Sequence, residues 1–580
     1  MNIRMLAAAG LAMLCACARE TPPPHEPVPN ENAVRATGEG EVIGFETADG
    51  AYSWRGLPYA TAPVGNARWR APQPPAERDG ALVATQYGER CAQMSNRFTE
   101  IEGIKAGQLI GSEDCLYLDI YAPKDAVARA EAGDRLAVMV WIHGGSNVWG
   151  RGSSYEGSRL AVNEGVIVVT IQYRLGPFGF FSHPLLRDDA EGDLDRAANF
   201  ALLDQAAALQ WVRDNIAGFG GDPERVTIFG ESAGAYDIGA LLVSPPAKGL
   251  FQRAILQSGG FDSVSRADAE EETSVERNPS NAIVAKLGAT TADDLRAASA
   301  RQLLEAYGMG YEDAIELPTV IEDGVTIPAA PLIDALATPG AVAPVAIITG
   351  VNRDEMKFFN AADKTLTKKV LGVFTVPRDK AYYHAINAYM SRLWRARSVD
   401  RAGAALAAAG HDDVYAYRLD WDEEGRAGFS DLSTLIGAAH AVDIPFIFNR
   451  FILFGDLDKT MFTKKTAASR EELSRAMGAY WANFARDGVP SAEGYASWPT
   501  WSHDGGTLMR FDSVHDGGIA PMTNSDSVEA IIADIKADPS LTPQQRCDVA
   551  SAVRAWVPHL SMQMAGEIGC PQAYLTGGTK

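Results

Sequence analysis

Val226-Thr227-Ile228-Phe229-Gly230-Glu231-Ser232-Ala233-Gly234 is an apolar, β-branched run that breaks into G-x-S-x-G and continues into small residues. As a bare pattern G-x-S-x-G is weak. With Gly and Ser each at about 7% of residues, chance supplies it about 0.2 times in a chain of this length. The setting carries the information. A buried strand that turns sharply into a helix leaves little room for side chains, so flanking glycines let the two elements approach. Such a turn pushes the Ser232 hydroxyl out at the carboxyl edge of a sheet, above a helix amino terminus. The plain alternative is a glycine turn with an incidental serine.

Outward from that turn, short runs rich in Val and Ile recur at Leu136–Ile142, Val166–Tyr173, Ala254–Gln257, Val345–Thr349 and Val414–Leu419. Each is bounded by Gly, Pro or Asp, as strands buried on both faces should be. Helical spacing of apolar residues runs over Ala201–Ile216, stopping near Gly218, and over Glu471–Arg486, stopping at Gly488. The fold class expected is α/β: a large, mostly parallel central sheet covered by helices, with sites at the carboxyl ends of the strands.

A serine hydroxyl is a poor nucleophile at neutral pH and needs a base. The chain has nine histidines. The oxyanion formed on attack needs convergent N–H donors. Trp141-Ile-His143-Gly144-Gly145-Ser146 ends an apolar run in a glycine turn, the place where backbone amides would be presented. The base also needs a carboxylate to hold its tautomer. Local pattern alone does not choose among 74 acidic residues.

The chain has 580 residues, 46% hydrophobic and 22% charged, which excludes a mainly disordered chain, a collagen-like fibre and a multi-span membrane protein. Its 74 acidic against 52 basic residues, net −22, argue against nucleic acid or an anionic membrane surface as default partners. Six cysteines are too few for a disulfide scaffold.

The amino terminus reads as an export signal. Arg4 is followed by the apolar stretch Met5–Ala18, too short to span a bilayer. Leu14-Cys15-Ala16-Cys17 resembles a bacterial lipobox, with cleavage after residue 16 and lipid on Cys17. Plain cleavage after Ala16-Cys17-Ala18 is the alternative. Either way the chain is expected outside the cytoplasm, as a periplasmic or outer-membrane-anchored lipoprotein, otherwise secreted. Residues 17–33 include Thr21-Pro-Pro-Pro24, Pro27 and Pro29, and read as a Pro-rich tether.

Further motifs lie along the body. They are Trp54-Arg-Gly-Leu-Pro-Tyr-Ala60, Arg68-Trp69, Ser112-Glu-Asp-Cys-Leu-Tyr-Leu-Asp119, Tyr173-Arg-Leu-Gly-Pro-Phe-Gly179, Leu203-Asp-Gln205 and Phe219-Gly-Gly-Asp-Pro223. Later come Gly350-Val-Asn-Arg-Asp-Glu355, Ala439-His440 with Ile444-Pro-Phe446, and Tyr480-Trp-Ala-Asn-Phe484. With these the sequence resembles the type B carboxylesterase family, the cholinesterase-like branch of the α/β-hydrolases, over about residues 38–513. Length alone, at roughly 150 residues per domain, suggests about four domains. Motifs threading the whole body instead imply one elaborated domain over 34–580, with extra length in insertions such as Asp262–Glu322.

The resemblance implies a serine carboxylic-ester hydrolase with Ser232 as nucleophile, His440 as base and Glu355 as acid, in the chain order of α/β-hydrolases. His440 would take the serine proton on attack, then protonate the leaving alcohol, and later activate water against the acyl-enzyme. The backbone N–H groups of Gly145, Ser146 and Ala233 would form the oxyanion hole. No metal or organic cofactor is implied, and the expected partner is a small-molecule ester. His143 and Asp354 are expected to be structural, and Glu231 to point away from the turn and support it through hydrogen bonds. His183, His384, His411, His503, His515 and His559 have no support as the base. Cys91 and Cys115 match the family's first disulfide loop. Cys547 and Cys570 are the remaining body cysteines; a second bond is their simplest pairing in an oxidising compartment, and two free thiols are the alternative.

There are departures from the family pattern. Ser146 stands where a third glycine is usual, and a positive φ there would cost on the order of 1 kcal/mol. Asn147 replaces a common aromatic, implying a more polar acyl side. Met356 and Asp443 replace a frequent glycine and glutamate. The Cys91–Cys115 loop has no Trp, so choline esters are not expected substrates. Carbamates, amides or a natural-product ester such as a mycotoxin side chain fit the same machinery, and a non-catalytic binding protein on the same fold is the rival outside catalysis.

Overall fold

The apolar runs join into one sheet of thirteen strands. In the computed structural model the described residues are 26–96, 99, 103–271, 280–308, 318–502, 506–555, 557–571 and 574. The signal segment 1–16, Cys17, the tether up to residue 25 and His503 lie outside them. The chain enters the sheet earlier than its composition suggests. β1 (Pro29–Thr37) pairs antiparallel with β2 (Gly40–Glu46), so residues 29–33 are strand and not tether. Pro29 opens the strand, where its missing N–H does little harm. Ala33 is fully buried and its carbonyl accepts the Trp54 indole N–H at 2.7 Å.

The path continues with β3 (Ala51–Pro58), β4 (Tyr117–Pro123), β5 (Leu136–Ile142), β6 (Ile167–Ile171), β7 (Gly221–Glu231), β8 (Arg253–Gln257), β9 (Ala346–Asn352), β10 (Val414–Leu419), β11 (Thr507–Phe511) and β12 (Ala520–Thr523). Their spatial order is β1-β2-β3-β4-β6-β5-β7-β8-β9-β10-β11-β12, with a short strand Leu82–Val83 beside β2. From β6 to β11 every pairing is parallel; the flanks are antiparallel, apart from Leu82–Val83, which pairs in parallel with β2.

Both faces of the parallel part are apolar. In β5, Leu136, Val138, Val140 and Ile142 enter one core cluster, while Ala137, Met139 and Trp141 enter another. Period-2 alternation between two cores is why the run is continuously hydrophobic. α1 (Phe200–Asn215) and α2 (Ala233–Leu241) cover the first face. α3 (Lys380–Arg395) and α4 (Ala467–Asp487) cover the second. α4 stops at Gly488, left-handed at φ 78°. α1 passes into a 3₁₀ turn, Ile216–Phe219, and the left-handed stop is Gly220 at φ 91° instead of Gly218. A Cβ at Gly220 would sit 2.5 Å from the Ala126 carbonyl, so packing on the preceding layer selects the position.

Two additions crowd the carboxyl edge. Within Asp262–Glu322, Ser263–Ser265 pairs in parallel with Val320–Glu322, with short helices between. After β12 come α5 (Val528–Ala537), α6 (Pro543–Ala552) and α7 (Pro558–Ile568), packed on the second core. Both disulfides are formed: Cys91–Cys115, and Cys547–Cys570, which ties α6 to the end of α7.

Candidate active site

Ser232 sits between β7 and α2 with φ 54° and ψ −124°. A non-glycine residue held there costs on the order of 1–3 kcal/mol and persists only where its surroundings enforce it. The enforcement is visible. A Cβ at Gly230 would lie 2.6 Å from the Ile142 carbonyl oxygen, and one at Gly234 would lie 2.0 Å from the same atom. Both glycines are therefore set by the end of the neighbouring strand β5. Ser232 N–H donates to the Gln257 carbonyl at 2.9 Å, which pins the turn to β8.

The loop after β5 carries three consecutive left-handed residues, Gly145 (φ 112°), Ser146 (φ 55°) and Asn147 (φ 58°), followed by Gly150 (φ 117°). At Gly145 a Cβ would meet the Trp149 carbonyl at 2.0 Å. Ser146 bears the strain that a glycine would avoid. Asn147 tolerates the conformation better and spends its amide inward: Nδ2 donates to Asp237 Oδ1 at 2.9 Å, and Oδ1 lies 3.2 Å from the Tyr173 hydroxyl. Its polar atoms thus brace the loop, although the residue also lines the cavity beside Ser232. The Tyr173 hydroxyl also lies 2.6 Å from the His143 carbonyl. Gln205 donates to Asp237 Oδ2 at 2.6 Å, and Arg174 forks onto Asp204 at 2.8 and 2.7 Å. The scattered motifs around Tyr173 and Leu203 are one buried polar brace for this loop.

His143 stacks on Tyr173 with ring centroids 4.5 Å apart, and its Nδ1 faces the Gly144 carbonyl at 2.8 Å. Burial pushes its pKa down to about 4, so the ring is neutral at physiological pH. The N–H groups of Gly145, Ser146 and Ala233 have no acceptor among the described residues. Ser146, Ser232 and Ala233 line one cavity of about 170 Å³.

Glu355 follows β9 and is fully buried. Its Oε2 lies 2.6 Å from His440 Nδ1. Its Oε1 accepts from Asn352 N–H at 2.7 Å and from the Ser258 hydroxyl at 2.5 Å. Asn352 also reaches across to the Ala439 carbonyl at 2.8 Å, joining the acid's turn to the loop that carries the histidine. Asp354 faces away, paired with Arg353 at 2.8 Å and Lys357 at 3.2 Å. Ser258 and Asn352 have no role in the sequence reading. The available signal is that Gln257-Ser258-Gly259-Gly260 ends a strand in glycines just as the Ser146 loop does.

Glu231 corrects the sequence reading. Its side chain does not point away: Oε1 lies 3.0 Å from His440 Nε2, so the imidazole bridges two carboxylates. Burial alone would lower His440, but Glu231 and Glu355 outweigh it and hold the ring up at about 9. Burial pushes Glu231 up to about 8 against the pull of His440. Asp443 lies behind, holding Gln257 and Tyr417 at 2.8 Å each, and burial raises its pKa. The Trp394 and Phe359 rings flank His440 with centroids 4.9 and 5.3 Å away. The cavity is closed further by Pro318–Val320 of the insertion and by Val553, Val557 and Leu560 of the carboxyl-terminal helices.

Comparison with known proteins agrees with this geometry. A family model described as the carboxylesterase family matches residues 31–401 and 362–522. Para-nitrobenzyl esterase of Bacillus subtilis (strain 168) is 36% identical over 510 residues, covering 82% of this chain and 94% of that protein. An acylcarnitine hydrolase of Mus musculus is 35% identical over 517 residues, covering 82% and 87%. Among solved structures, a carboxylesterase of Geobacillus stearothermophilus at pH 6.2 superposes with TM-score 0.66 at 31% identity, over 86% of this chain and 99% of that one. The family match ends before α5–α7 begin.

Proposed function

This chain belongs to the carboxylesterase family, and we propose that Ser232, His440 and Glu355 are its catalytic triad. It is a serine carboxylic-ester hydrolase acting on small-molecule esters. The observation that carries the assignment is the 2.6 Å contact of His440 Nδ1 with buried Glu355, together with a serine held at positive φ in the cavity wall. Glu355 fixes the tautomer and stabilises the imidazolium. Nε2 leaves Glu231 to take the Ser232 proton as the oxygen attacks the ester carbonyl. The N–H groups of Gly145, Ser146 and Ala233 receive the oxyanion, each donor worth about 2.7–4 kcal/mol of barrier. Imidazolium then protonates the departing alcohol, and water deprotonated by His440 releases the acid. Labelling with a fluorophosphonate tests the assignment. Label on Ser232, lost in Ser232→Ala, is expected; an intact protein that neither labels nor cleaves an aryl ester refutes it.

The amino-terminal segment supports export: 1–16 as signal peptide, lipid on Cys17, and a short tether leading into a single domain. The pattern around Leu14-Cys15-Ala16-Cys17 and two disulfides in the body favour an oxidising compartment. Among the described residues no helix is long and apolar enough to cross a membrane. Mass spectrometry of the mature amino terminus decides: a diacylglyceryl adduct on Cys17 is expected, and an unmodified terminus beginning at Arg19 refutes lipidation.

A further inference from the structure

Met390, Leu393, Trp394, Arg397 and Ser398 all line the cavity that holds Ser232. Their spacing is one helical face, i, i+3, i+4, i+7 and i+8, continued from α3 into the π-turn Ala396–Asp400. An apolar stripe thus ends in a cation inside the substrate cavity. π-turns set into helices occur frequently at functional sites. Arg397 Nη2 donates to Asp262 Oδ1, and Asp262 also lines the cavity. The two side chains differ in freedom: Arg397 is 19% exposed and Asp262 is 40% exposed.

A guanidinium has five donors in a planar fork matched to a carboxylate. Among the described residues only Nη2 is engaged by a hydrogen bond, and its acceptor is the more solvated partner. An ion pair beside an apolar cavity carries a desolvation cost that well-packed hydrophobic residues would avoid. It also sets a cation at the site of a protein whose net charge of −22 otherwise repels anions. Both points are accounted for if the fork recognises something that enters.

We propose that Arg397 selects esters bearing a free carboxylate, with Asp262 as its counter-ion when the cavity is empty. The inference rests on Ser232 being the nucleophile of that cavity. The carboxylate of the substrate takes the open side of the fork and displaces Asp262 toward solvent, while the ester carbonyl lies at Ser232. Asp262 therefore competes with the substrate anion.

The test is the ratio of kcat/KM for matched anionic and neutral esters, read within each variant so that general losses cancel. Mono-para-nitrophenyl glutarate against para-nitrophenyl valerate places the charge on the acyl side. Para-carboxyphenyl butyrate against phenyl butyrate places it on the alcohol side. The expected result is a preference for the anionic ester in one arm that falls about ten- to a hundredfold in Arg397→Gln, the range for a hydrogen bond to a charged group. Arg397→Lys keeps the charge without the fork and should fall in between. Asp262→Asn should raise the preference, and added salt should weaken it. Fluorophosphonate labelling of each variant reports whether the site has formed; if Arg397→Gln does not label, Arg397→Lys and Asp262→Asn carry the comparison. Ratios that are the same in wild type and in the labelled variants, in both arms, overturn the proposal. A wild-type protein that neither labels nor cleaves the neutral esters overturns the triad, and this inference with it.

Discussion

Glu231→Gln removes one of the two carboxylates that bridge His440 while keeping shape and a hydrogen-bonding head. In the wild type, Glu231 Oε1 lies 3.0 Å from Nε2, and the ring is held up at about 9. Two unit charges with centres about 4 Å apart interact by about 4 kcal/mol at an effective dielectric of about 20. That is an upper bound of about 3 pK units. Burial keeps Glu231 itself protonated up to about 8, so it is charged for only part of the range in which His440 titrates. The expected net effect of the substitution is a fall in the His440 pKa of about 1–2 units. The sign for activity follows. The base must be neutral to accept the serine proton, so kcat/KM rises with pH through the His440 pKa. Losing an anion destabilises the imidazolium, lowers that pKa and moves the acidic limb to lower pH. The plateau should also fall, because the same anion stabilises the imidazolium in the transition state. The assay is kcat/KM for a neutral aryl butyrate across pH 6 to 10 or so, in wild type and variant. An acidic limb that stays in place, or moves to higher pH, refutes the bridging role of Glu231.

Other outcomes follow from the same geometry. Ser258→Ala removes a 2.5 Å donor to Glu355, and should lower kcat about tenfold or more with little change in KM, since a hydrogen bond to a charged group is worth about 1.5–3 kcal/mol; a change confined to KM counts against it. Ser146→Gly relieves a side chain at φ 55° and should stabilise the fold by about 1 kcal/mol, seen as a raised melting temperature, while a lowered one means the hydroxyl is held by a contact. Removing the Cys547–Cys570 bond, by Cys547→Ser with Cys570→Ser, frees a segment with sequence separation 23 and should cost about 3 kcal/mol of stability by chemical denaturation. Because Val553, Val557 and Leu560 wall the cavity, the same double variant should lose activity on long-chain esters before it loses activity on acetates; equal losses would separate the carboxyl-terminal helices from substrate binding.

The strands were legible because they are buried on both faces. Leu136–Ile142 and Val414–Leu419 need no alternation when each face has its own core, and their bounds match the observed strands. The Ser232 turn was legible because its requirement shows in nearly consecutive residues: Gly230 and Gly234 flank the serine, although what forces them to be small is the end of strand β5. The loop at Gly144-Gly145 announced itself in the same way. Glu355 and His440 were different. Nothing local marks one acid among 74, and these two entered only through resemblance to a family.

Burial direction and through-space pairing belonged to the tertiary structure. Glu231 adjoins Ser232 in sequence, yet its orientation onto His440 depends on a loop two hundred residues away. Ser258 and Asn352 converge on Glu355 because parallel strands β8 and β9 end side by side, a neighbourhood set by sheet order and not by any short motif. The Pro-rich approach to the body reads as a tether by composition, but pairing with an antiparallel neighbour already begins at Pro29 and resumes, after an irregularity, at Val34. Arg397 is the sharpest case. By spacing it only extends an apolar helical stripe, and its meeting with Asp262 in one cavity exists because the chain folds two distant segments over the same serine. Short-range sterics and the two-sided hydrophobic effect are written into consecutive residues; which charges meet is decided only when the sheet brings distant ends together.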